Sequence, residues 1–430
     1  MALSESEERL LKAIDDSADK ISAFAEKVYN NPELGYKEYK TAAAVKAEFD
    51  SLGIKYCDGG AVTSVKGSIG SGDFRLCIIG EMDAVKNSEY PGAEIKTGAA
   101  HACGHHGQLA AMMGAAYGLI NSRILPELDG VIDFFAVPAE EYIDLDYRRE
   151  LRKAGKIKYL SGKQQLLCEG AFDNTDAAIM VHAQPDMPKA GICLHGKNLG
   201  FVEKQITFRG VASHASEPYN GVNALNAAAL AILGIHANRE HFREEDKIRI
   251  HPIITKGGDA VNIVPAEVCM DSYVRGASLE AIKNASADTD RAINGGAMMV
   301  GASAEIITSP GYLPLKQDFD LGELVRAVAE EILPTDRIFE GIDVVGSTDL
   351  GDLSHLIPCV QPTVGGYCGA LHSNELHVAA AYDAYIVPAK ILALTAVRLL
   401  KNNAAEGRKI KQSFKPSMNK KEYIDYLENI

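Results

Sequence analysis

Short hydrophobic runs alternate with amphipathic stretches over the first part of the chain. Residues 4–29 repeat their apolar positions at helical spacing, which predicts an opening helix. Continuous apolar runs follow at 75–80, 131–137 and 177–181, and a helical pattern at 107–120 lies between the first two. Strands that are apolar on both faces and separated by helices are typical of an α/β sheet covered on both sides. The sequence therefore predicts an α/β fold for this part.

The pattern changes over residues 199–309. Strand-like and helical stretches follow one another there in the order βαββαβ, which is the order of the split βαβ, ferredoxin-like sandwich. Helical patterns at 320–333 and 383–401 then return to the α/β style of the first part. We therefore expect a discontinuous α/β domain formed by 1–198 and 310–430, with the ferredoxin-like domain inserted into it.

The composition is that of a packed globular protein. The chain has 430 residues, of which 47% are hydrophobic and 24% are charged, and its size suggests two compact units. Its 44 basic and 58 acidic side chains give a formal charge of −14, which would repel a nucleic acid, so we expect no such partner. The tail from about Ala404, which is rich in basic residues, is expected to be a solvated end.

We also expect no membrane partner and a cytoplasmic location. We find no apolar run of about 18 residues and no basic, apolar leader at the start of the chain. The eight cysteines are scattered without the spacing of a disulfide framework. Free cysteines are typical of a reducing compartment.

Polar side chains stand directly after the predicted strands. Ligands of an open α/β sheet bind beyond the carboxyl ends of its strands, so chemistry is expected at these positions. Three strand ends, one helix start and one late loop present possible metal ligands. They are Glu81 and Asp83, Glu140 and Glu141, His182, the hexapeptide from His101 to His106, and His372.

The hexapeptide HACGHH combines two good metal ligands. Cys103 and His105 are separated by one glycine in front of a predicted helix, where the helix dipole favours a thiolate. Thiolate and imidazole are ligands of zinc and related metals. A polar loop with a buried structural cysteine is the alternative interpretation.

The adjacent acids and the isolated histidines also have plainer explanations. In a site of low dielectric, Glu140 and Glu141 would repel each other unless a cation lay between them or one were protonated. One of them could then bind metal while the other faces a water molecule. Two surface acids are the alternative, and His182 and His372 could each be a hydrogen-bonded histidine at the edge of the core.

Seven motifs occur in one order along the chain: HACGHH, PAEE, DAAIMVHAQP, GVASHASEP, GVNALNAA, NIVPAEV and STDLGDLSH. Together they resemble the co-catalytic metallopeptidase and amidohydrolase family that includes aminoacylases, plant indole-acetyl-amino-acid hydrolases and bacterial aminobenzoyl-glutamate hydrolase. The resemblance extends over nearly the whole chain, from residue 30 to residue 377. It implies a metallopeptidase-type α/β catalytic domain with an inserted ferredoxin-like domain that serves as a lid and for dimerisation.

The resemblance also implies a metal site of the family's cysteine branch. Cys103 would bridge two divalent ions, zinc or manganese. Glu140 would be the catalytic base, and Asp83 would orient a ligand. The remaining metal ligands would be His105, Glu141, His182 and His372.

Further roles are implied for the inserted domain, through which relatives form dimers. His214 would reach the substrate carbonyl across the interface of a homodimer. Asn262 and Arg275 match positions that relatives use to hold the substrate's backbone or carboxylate. For Arg275, an ordinary strand-end arginine is an equally good interpretation.

The chain departs from the family pattern in two places. His106 stands where relatives usually have Asp or Asn, which leaves the number of ligands and the preferred metal open. After the paired glutamates, residues 142–163 form a charged segment where many relatives have glycines; we call it the insert. We expect the insert to form its own helix beside the pocket and to alter the choice of substrate.

The favoured function is metal-dependent hydrolysis of the amide bond of an N-acyl or N-aroyl amino acid or a dipeptide-like small molecule. Glu140 would move the proton and His214 would stabilise the oxyanion. Three alternatives stay open: hydrolysis of a carbon-nitrogen bond that is not an amide, a cysteine-nucleophile hydrolase using Cys103, and a non-catalytic relative that binds a small ligand. Treatment with a metal chelator separates metal-dependent hydrolysis from the cysteine-nucleophile mechanism, because only the former should lose activity.

Overall fold

Two compact units make up the chain. The computed structural model describes residues 3–187, 190–341 and 346–430. The first unit consists of Met1–Lys197, Lys316–Asp343 and Asp352–Ser417. The second unit consists of Asn198–Leu315, Val344–Gly351 and Met418–Ile430.

Helices and strands follow one another along the whole chain. The helices are α1 (Glu5–Asp15), α2 (Ala18–Tyr29), α3 (Tyr39–Leu52), α4 (His105–Asn121), α5 (Leu145–Lys153), α6 (Gly162–Glu169), α7 (Ala224–Ala237), α8 (Leu279–Met299), α9 (Phe319–Ile332), α10 (Leu350–Ser354), α11 (Val387–Ser413) and α12 (Lys420–Glu428). The strands are β1 (Lys55–Asp58), β2 (Val65–Ser71), β3 (Arg75–Glu81), β4 (Val85–Lys86), β5 (Ala99–Ala100), β6 (Gly130–Val137), β7 (Ala177–Ile179), β8 (His182–Pro185), β9 (Ile192–Leu194), β10 (Gly200–Arg209), β11 (Arg249–Lys256), β12 (Glu267–Gly276), β13 (Ser303–Pro310), β14 (Ile338–Glu340), β15 (Cys359–Val360), β16 (Thr363–Cys368) and β17 (His377–Val378).

The first unit is built on a six-stranded sheet with the strand order β1-β2-β6-β3-β7-β15. Strands β6, β3, β7 and β15 run parallel, whereas β2 is antiparallel to both of its neighbours. Nearly every residue of β3 and β6 is buried, because both strands lie inside the sheet and carry apolar side chains on both faces. The continuous apolar runs of the sequence therefore form the covered α/β sheet that they predict.

Helix α4 is buried around its circumference from its first residue to Leu119. Its small residues let neighbouring helices approach closely. A Cβ atom on Gly114 would lie 2.6 Å from the Cβ atom of Ala389 in α11, and one on Gly118 would lie 2.4 Å from Cγ1 of Ile14 in α1. The helix is thus fixed by tight packing, and its N-terminus carries the hexapeptide HACGHH.

A second sheet of the first unit has the order β14-β9-β16-β17, and β8 also pairs with β16. His182 is the first residue of β8 and lies opposite Thr363 of β16. The loop that holds His372 connects β16 to β17. This sheet therefore positions the two late histidines that the sequence singles out.

The second unit has a four-stranded antiparallel sheet with the order β11-β12-β10-β13. Burial alternates strictly along β12, as expected for a sheet with one face covered. Helices α7 and α8 pack against each other and against this sheet, and Phe208 and Ile293 are among the fully buried side chains of its core. The chain order of these elements is βαββαβ, so the predicted fold class is confirmed.

The end of the chain differs from the expected solvated tail. Helix α11 is interrupted by a kink at residues 401–404 and then extends to Ser413, and Ile410 in its second part is fully buried. Helix α12 begins with a capping box at Asn419 and buries Tyr423 and Leu427. Most basic residues of the tail thus lie on helices with an apolar face, which the basic composition of the segment does not reveal. None of the helices within the described ranges is long and apolar enough to cross a bilayer.

Candidate metal centre

Metal-binding atoms from five parts of the chain meet at one edge of the six-stranded sheet. Three groups of side chains each bring their ligand atoms within 4.8 Å of one another. Because Cys103 belongs to two groups and His105 to two, the groups form a single cluster. They are Cys103, His105 and His182; Cys103, Glu141 and His372; and Glu81, His105 and Glu140.

The acidic members of the cluster follow two adjacent parallel strands. Glu81 is the last residue of β3 and lies opposite Val137, the last residue of β6. Asp83 follows two residues after the first of these strands, and Glu140 and Glu141 follow the second. Since the carboxyl ends of parallel strands lie at the same edge of a sheet, all four acids come together there.

The loop before α4 brings Cys103 and His105 to the same edge. Gly104, between them, has a φ of 88°, and a Cβ atom there would lie 2.5 Å from the Cβ atom of Ala183. Only glycine fits this left-handed position without strain. The turn leaves the Cys103 sulfur 3.5 Å from Nε2 of His182.

His372 reaches the cluster from the loop after β16. Its backbone is left-handed, with a φ of 64°, and is held by two hydrogen bonds. The His372 amide donates to the Ala102 carbonyl at 2.6 Å, and its own carbonyl accepts from Asn87 Nδ2 at 3.0 Å. The ring's Nε2 then lies 3.1 Å from Oε1 of Glu141, although half of the side chain is exposed.

Asp83 contacts two of the candidate ligands from behind. Its Oδ2 accepts a hydrogen bond from the Glu141 amide at 2.9 Å. Its backbone carbonyl is 2.8 Å from Nδ1 of His105, which donates to it, and its Oδ1 is 3.3 Å from the same nitrogen. These contacts leave Nε2 as the free nitrogen of the His105 ring.

Neighbouring charges shift the pKa values of Glu141 and His105. Burial alone would raise the pKa of Glu141, but the hydrogen bond and charge of His372 outweigh it and lower this pKa to about 2. Burial would lower the pKa of His105, but the carboxylates, foremost Glu81, raise it to about 9. Without a cation, the histidine therefore carries a proton at neutral pH.

The Cys103 thiol behaves differently from the sequence expectation. Burial, together with the charges of Glu141 and Glu140, raises its pKa well above the ordinary value. The helix N-terminus alone would favour a thiolate, but two carboxylates close to the sulfur outweigh the helix dipole. A thiolate at this position needs a cation beside it.

The donor set fits a divalent cation. Nε2 of His105 is buried and has no hydrogen-bond partner among the residues that the structure describes. A cation there would satisfy this nitrogen and balance the carboxylates that surround it. Thiolate, imidazole and carboxylate are the ligands of zinc, and imidazole and carboxylate also suit manganese.

Glu81 is a member of the cluster to which the sequence motifs assign no role. Its Oε2 lies 3.3 Å from Nε2 of His105, and Gln108 Nε2 donates to the same oxygen at 2.7 Å. The buried ammonium of Lys163 donates to Oε1 at 2.6 Å. Glu81 stands at the end of a predicted strand and is therefore a candidate metal ligand in the sequence. Its partner Lys163 lies in the insert, and no spacing rule connects the two residues.

His106 does not join the cluster. It is buried, and its ring lies 5.1 Å from the ring of Tyr29 and 5.5 Å from that of His101. The rings of Tyr367 and Tyr385 lie near it as well, at 6.5 and 6.0 Å. His106 thus lies in an aromatic cage and outside the three candidate groups of the described residues.

The other predicted site residues lie in the second unit. His214 is exposed, and its Nδ1 lies 2.7 Å from the Ser216 hydroxyl and accepts from the Ser216 amide at 3.2 Å. Asn262 is adjacent, because its carbonyl accepts from the Ala215 amide at 3.0 Å. Arg275, at the end of β12, donates from Nη1 to the Ser347 hydroxyl at 2.8 Å. Its guanidinium lies over two aromatic rings, those of Phe201 and Tyr273.

Comparison with known proteins supports the resemblance drawn from the motifs. Residues 197–296 match the peptidase dimerisation domain of the M20 type. The chain is 28% identical to the IAA-amino acid hydrolase ILR1-like 2 of Arabidopsis thaliana, over 89% of this chain and 85% of the relative. It is 26% identical to the Xaa-Arg dipeptidase of Homo sapiens, over 98% of this chain and 94% of the relative.

A solved structure shows the same fold. The YXEP protein of Bacillus subtilis, a dinuclear metal-binding peptidase from the M20 family, matches with a TM-score of 0.70 at 20% identity. The match covers 90% of this chain and 99% of that one. The predicted family resemblance and the predicted fold are therefore both confirmed.

Proposed function

We propose that this relative of the M20 peptidases is a metal-dependent amidohydrolase. Its substrate is an N-acyl or N-aroyl amino acid or a dipeptide-like small molecule, and the amide bond is cleaved. The observation that carries the proposal is the cluster around Cys103, with Glu140 beside it. Two relatives are named for compounds that contain an amino acid, which supports the same class of substrate.

Two divalent ions, zinc or manganese, fit the cluster because two groups of ligands share one sulfur. Cys103 would belong to both ions, His105 and His182 to one, and Glu141 and His372 to the other. When bound, such a pair lowers the pKa of a water molecule and polarises the substrate carbonyl. The protein's own part is to fix the ligands and to move protons.

Glu140 is the residue to which we assign proton transfer. It is buried, and its Oε2 lies 3.9 Å from Nε2 of His105, at the inner side of the cluster. It would take a proton from the attacking water and later deliver it to the departing nitrogen. Glu141 is assigned to the ions instead, because its carboxylate forms one group of candidate ligands with the Cys103 sulfur and the His372 ring.

His214 is suited to stabilise the substrate oxyanion. Its Nδ1 accepts from the Ser216 amide, so in the neutral ring the proton is on Nε2, which can donate to an oxygen. We propose a homodimer through the second unit, in which His214 of the partner subunit reaches the carbonyl. Asn262 and Arg275 would hold the substrate's backbone or carboxylate, and the contacts of Arg275 with Ser347 keep its guanidinium in one orientation.

A cysteine nucleophile is the competing mechanism, and the electrostatics of the site argue against it. A reactive cysteine needs a lowered pKa, whereas burial and neighbouring carboxylates raise that of Cys103.

We also place the protein in the cytoplasm, since all eight cysteines are free.

Metal analysis followed by a substrate screen tests the proposal. Purified protein should contain about two divalent ions per chain. It should release amino acid from at least one member of a panel of N-acyl amino acids and dipeptides supplied with zinc or manganese. Removal of the metal should abolish this activity, and adding metal back should restore it. Activity that survives chelation and is lost on stoichiometric thiol alkylation would instead favour the cysteine nucleophile.

A further inference from the structure

One short turn carries both glutamates of the candidate centre, and its backbone is strained. The turn covers residues 138–141, directly after β6. Ala139 has a φ of 55°, a left-handed conformation that alanine rarely adopts. Such a conformation persists only where surrounding contacts hold it in place.

The amide groups of the turn bond to the body of the first unit. The Ala139 amide donates to Oε1 of Glu38 at 2.9 Å, and the Glu141 amide donates to Oδ2 of Asp83 at 2.9 Å. Glu38 is itself held by the Thr63 hydroxyl at 2.6 Å. These bonds hold N–H groups of the turn but not its carbonyl groups.

The carbonyl groups of the turn bond to the insert, residues 142–163. Arg148 on α5 is fully buried, and its Nη2 donates to the Glu141 carbonyl at 2.5 Å. Its Nη1 donates to the Leu160 carbonyl at 2.8 Å and is 3.4 Å from the Ala139 carbonyl. The guanidinium also lies over the ring of Tyr36, 5.5 Å from its centroid. One side chain thus ties the two ends of the turn to the far end of the insert.

Two glycines show how closely the insert and the turn are packed. A Cβ atom on Gly35 would lie 2.2 Å from Nη2 of Arg148 and 2.9 Å from the Cα atom of Ala139. A Cβ atom on Gly162 would lie 1.7 Å from the carbonyl oxygen of Pro138. The backbone of the turn is thus closely packed against other residues at these two positions.

We propose that the insert is a positioning element of the metal centre and that Arg148 is its positioning residue. Arg148 holds the backbone of the strained turn so that Glu141 and Glu140 point toward the cluster. The inference rests on the proposed function only in treating that cluster as the metal centre. From the sequence we expected the insert to alter the choice of substrate, whereas its role here is to position the candidate ligands.

Arginine is the side chain that this task requires. A buried cation is costly unless its donors are well bonded, and the rigid guanidinium fork can serve several carbonyl oxygens at once. Lysine would keep the charge but could not reach the carbonyls of Glu141, Ala139 and Leu160 together. Arg148→Lys therefore separates the fork geometry from the charge.

The test measures metal affinity, by competition with a chromophoric chelator, in Arg148→Lys and in the wild type. Arg152→Lys is the matched control, because Arg152 lies one turn further along the same helix and is exposed. We expect Arg148→Lys to bind zinc about 10- to 100-fold more weakly, as is typical when an orienting contact of a ligand is lost, and the control to match the wild type. Circular dichroism of the metal-free proteins should show no difference among the three.

Chemical rescue supplies the second variant. In Arg148→Ala, guanidinium ions at a low millimolar concentration should restore part of the lost zinc affinity, whereas equal sodium chloride should not. Zinc affinity equal to wild type in both variants would overturn the proposal, as would a changed substrate preference at unchanged zinc affinity. If neither variant folds, Arg148 serves the fold as a whole and the proposal is likewise overturned.

The outcome is separable from the fate of the proposed function. Wild-type protein that binds two ions and cleaves no amide would refute the amidohydrolase assignment. The comparison of zinc affinities would still decide the role of Arg148, because no turnover enters it.

Discussion

Two neighbouring glutamates can serve different purposes in this protein because the chain leaves the regular strand before it reaches them. In a strand their side chains would point to opposite faces. The left-handed backbone at Ala139 turns both toward the cluster, where Oε1 of Glu141 lies beside His372 and Oε2 of Glu140 lies near His105. One carboxylate thus contacts a histidine of the loop after β16, and the other a histidine at the start of α4. This difference in partners underlies the separate roles that we propose for them.

Glu140→Gln tests whether the two glutamates have different roles. The amide has nearly the same shape but cannot accept the proton of the attacking water. Since general base catalysis contributes about 10²- to 10⁴-fold, we expect kcat to fall by that factor while the metal content stays at the wild-type value. Glu141→Gln should do the reverse and lower the metal content. A Glu140→Gln enzyme with the wild-type kcat would remove Glu140 from the mechanism.

Metal affinity should depend on pH in a definite direction. Without a cation, the pKa of His105 is raised to about 9 and that of Cys103 lies well above its ordinary range, so both hold protons at neutral pH. Metal must displace these protons, and affinity therefore rises with pH below those pKa values, by up to about tenfold per pH unit for each proton released. Chelator competition between about pH 6.5 and 8.5 measures the slope. An affinity that is flat over this range would contradict the protonated states of His105 and Cys103.

At the scale of residues, the sequence predicts the candidate ligands but not the side chains that surround them. The motifs and the strand ends pick out Cys103 and the other candidate ligands, which the structure brings together. The strand ends include Glu81 as a candidate, but they do not reveal its contact with Lys163, which lies 82 residues further along the chain. The environment of His106 is equally hidden, since its aromatic cage is assembled from residues far apart in the sequence.

At the scale of elements, periodic patterns predict what is local and fail where long-range contacts decide. The apolar runs become β3, β6 and β7, because burial on both faces imposes its own signature on the sequence. The charged pattern of the insert predicts one helix, whereas residues 142–163 contain α5 and the start of α6. Its contacts with the turn depend on where α5 docks, which no pattern within the insert encodes.

Gly162→Ala tests the packing between the insert and the turn. The added methyl group would lie 1.7 Å from the Pro138 carbonyl oxygen, so the backbone has to move, and overpacking of this kind costs about 1 to 3 kcal/mol. Gly295→Ala in α8 is the control, because a Cβ atom there meets nothing within 4 Å. That change should stabilise the protein by up to about 1 kcal/mol through helix propensity.

Thermal unfolding of both variants measures the contrast. We expect the midpoint to fall for Gly162→Ala and to stay level or rise for Gly295→Ala. Zinc affinity should fall as well in Gly162→Ala, since the same turn carries Glu141. A Gly162→Ala protein as stable as the wild type would show that the turn can relax.

At the scale of the whole molecule, the candidate chemistry is divided between two units. The metal-binding groups all lie in the first unit, whereas His214 and Asn262 lie in the second. The βαββαβ order of the second unit could be predicted because its strands alternate and its helices are long. How copies of the chain assemble could not be predicted from the pattern, and only the family resemblance suggests it.

Mixing two inactive variants tests whether His214 acts on the partner subunit. Glu140→Gln removes the proton carrier from one chain, and His214→Ala removes the oxyanion donor from the other. If the histidine acts across a homodimer, each mixed dimer has one complete site, formed by Glu140 of one chain and His214 of the partner subunit. Random reassociation of equal amounts makes half of the dimers mixed, so activity should recover to about a quarter of the wild-type value. If the histidine acts within its own chain, every site in the mixture lacks one group and no activity returns.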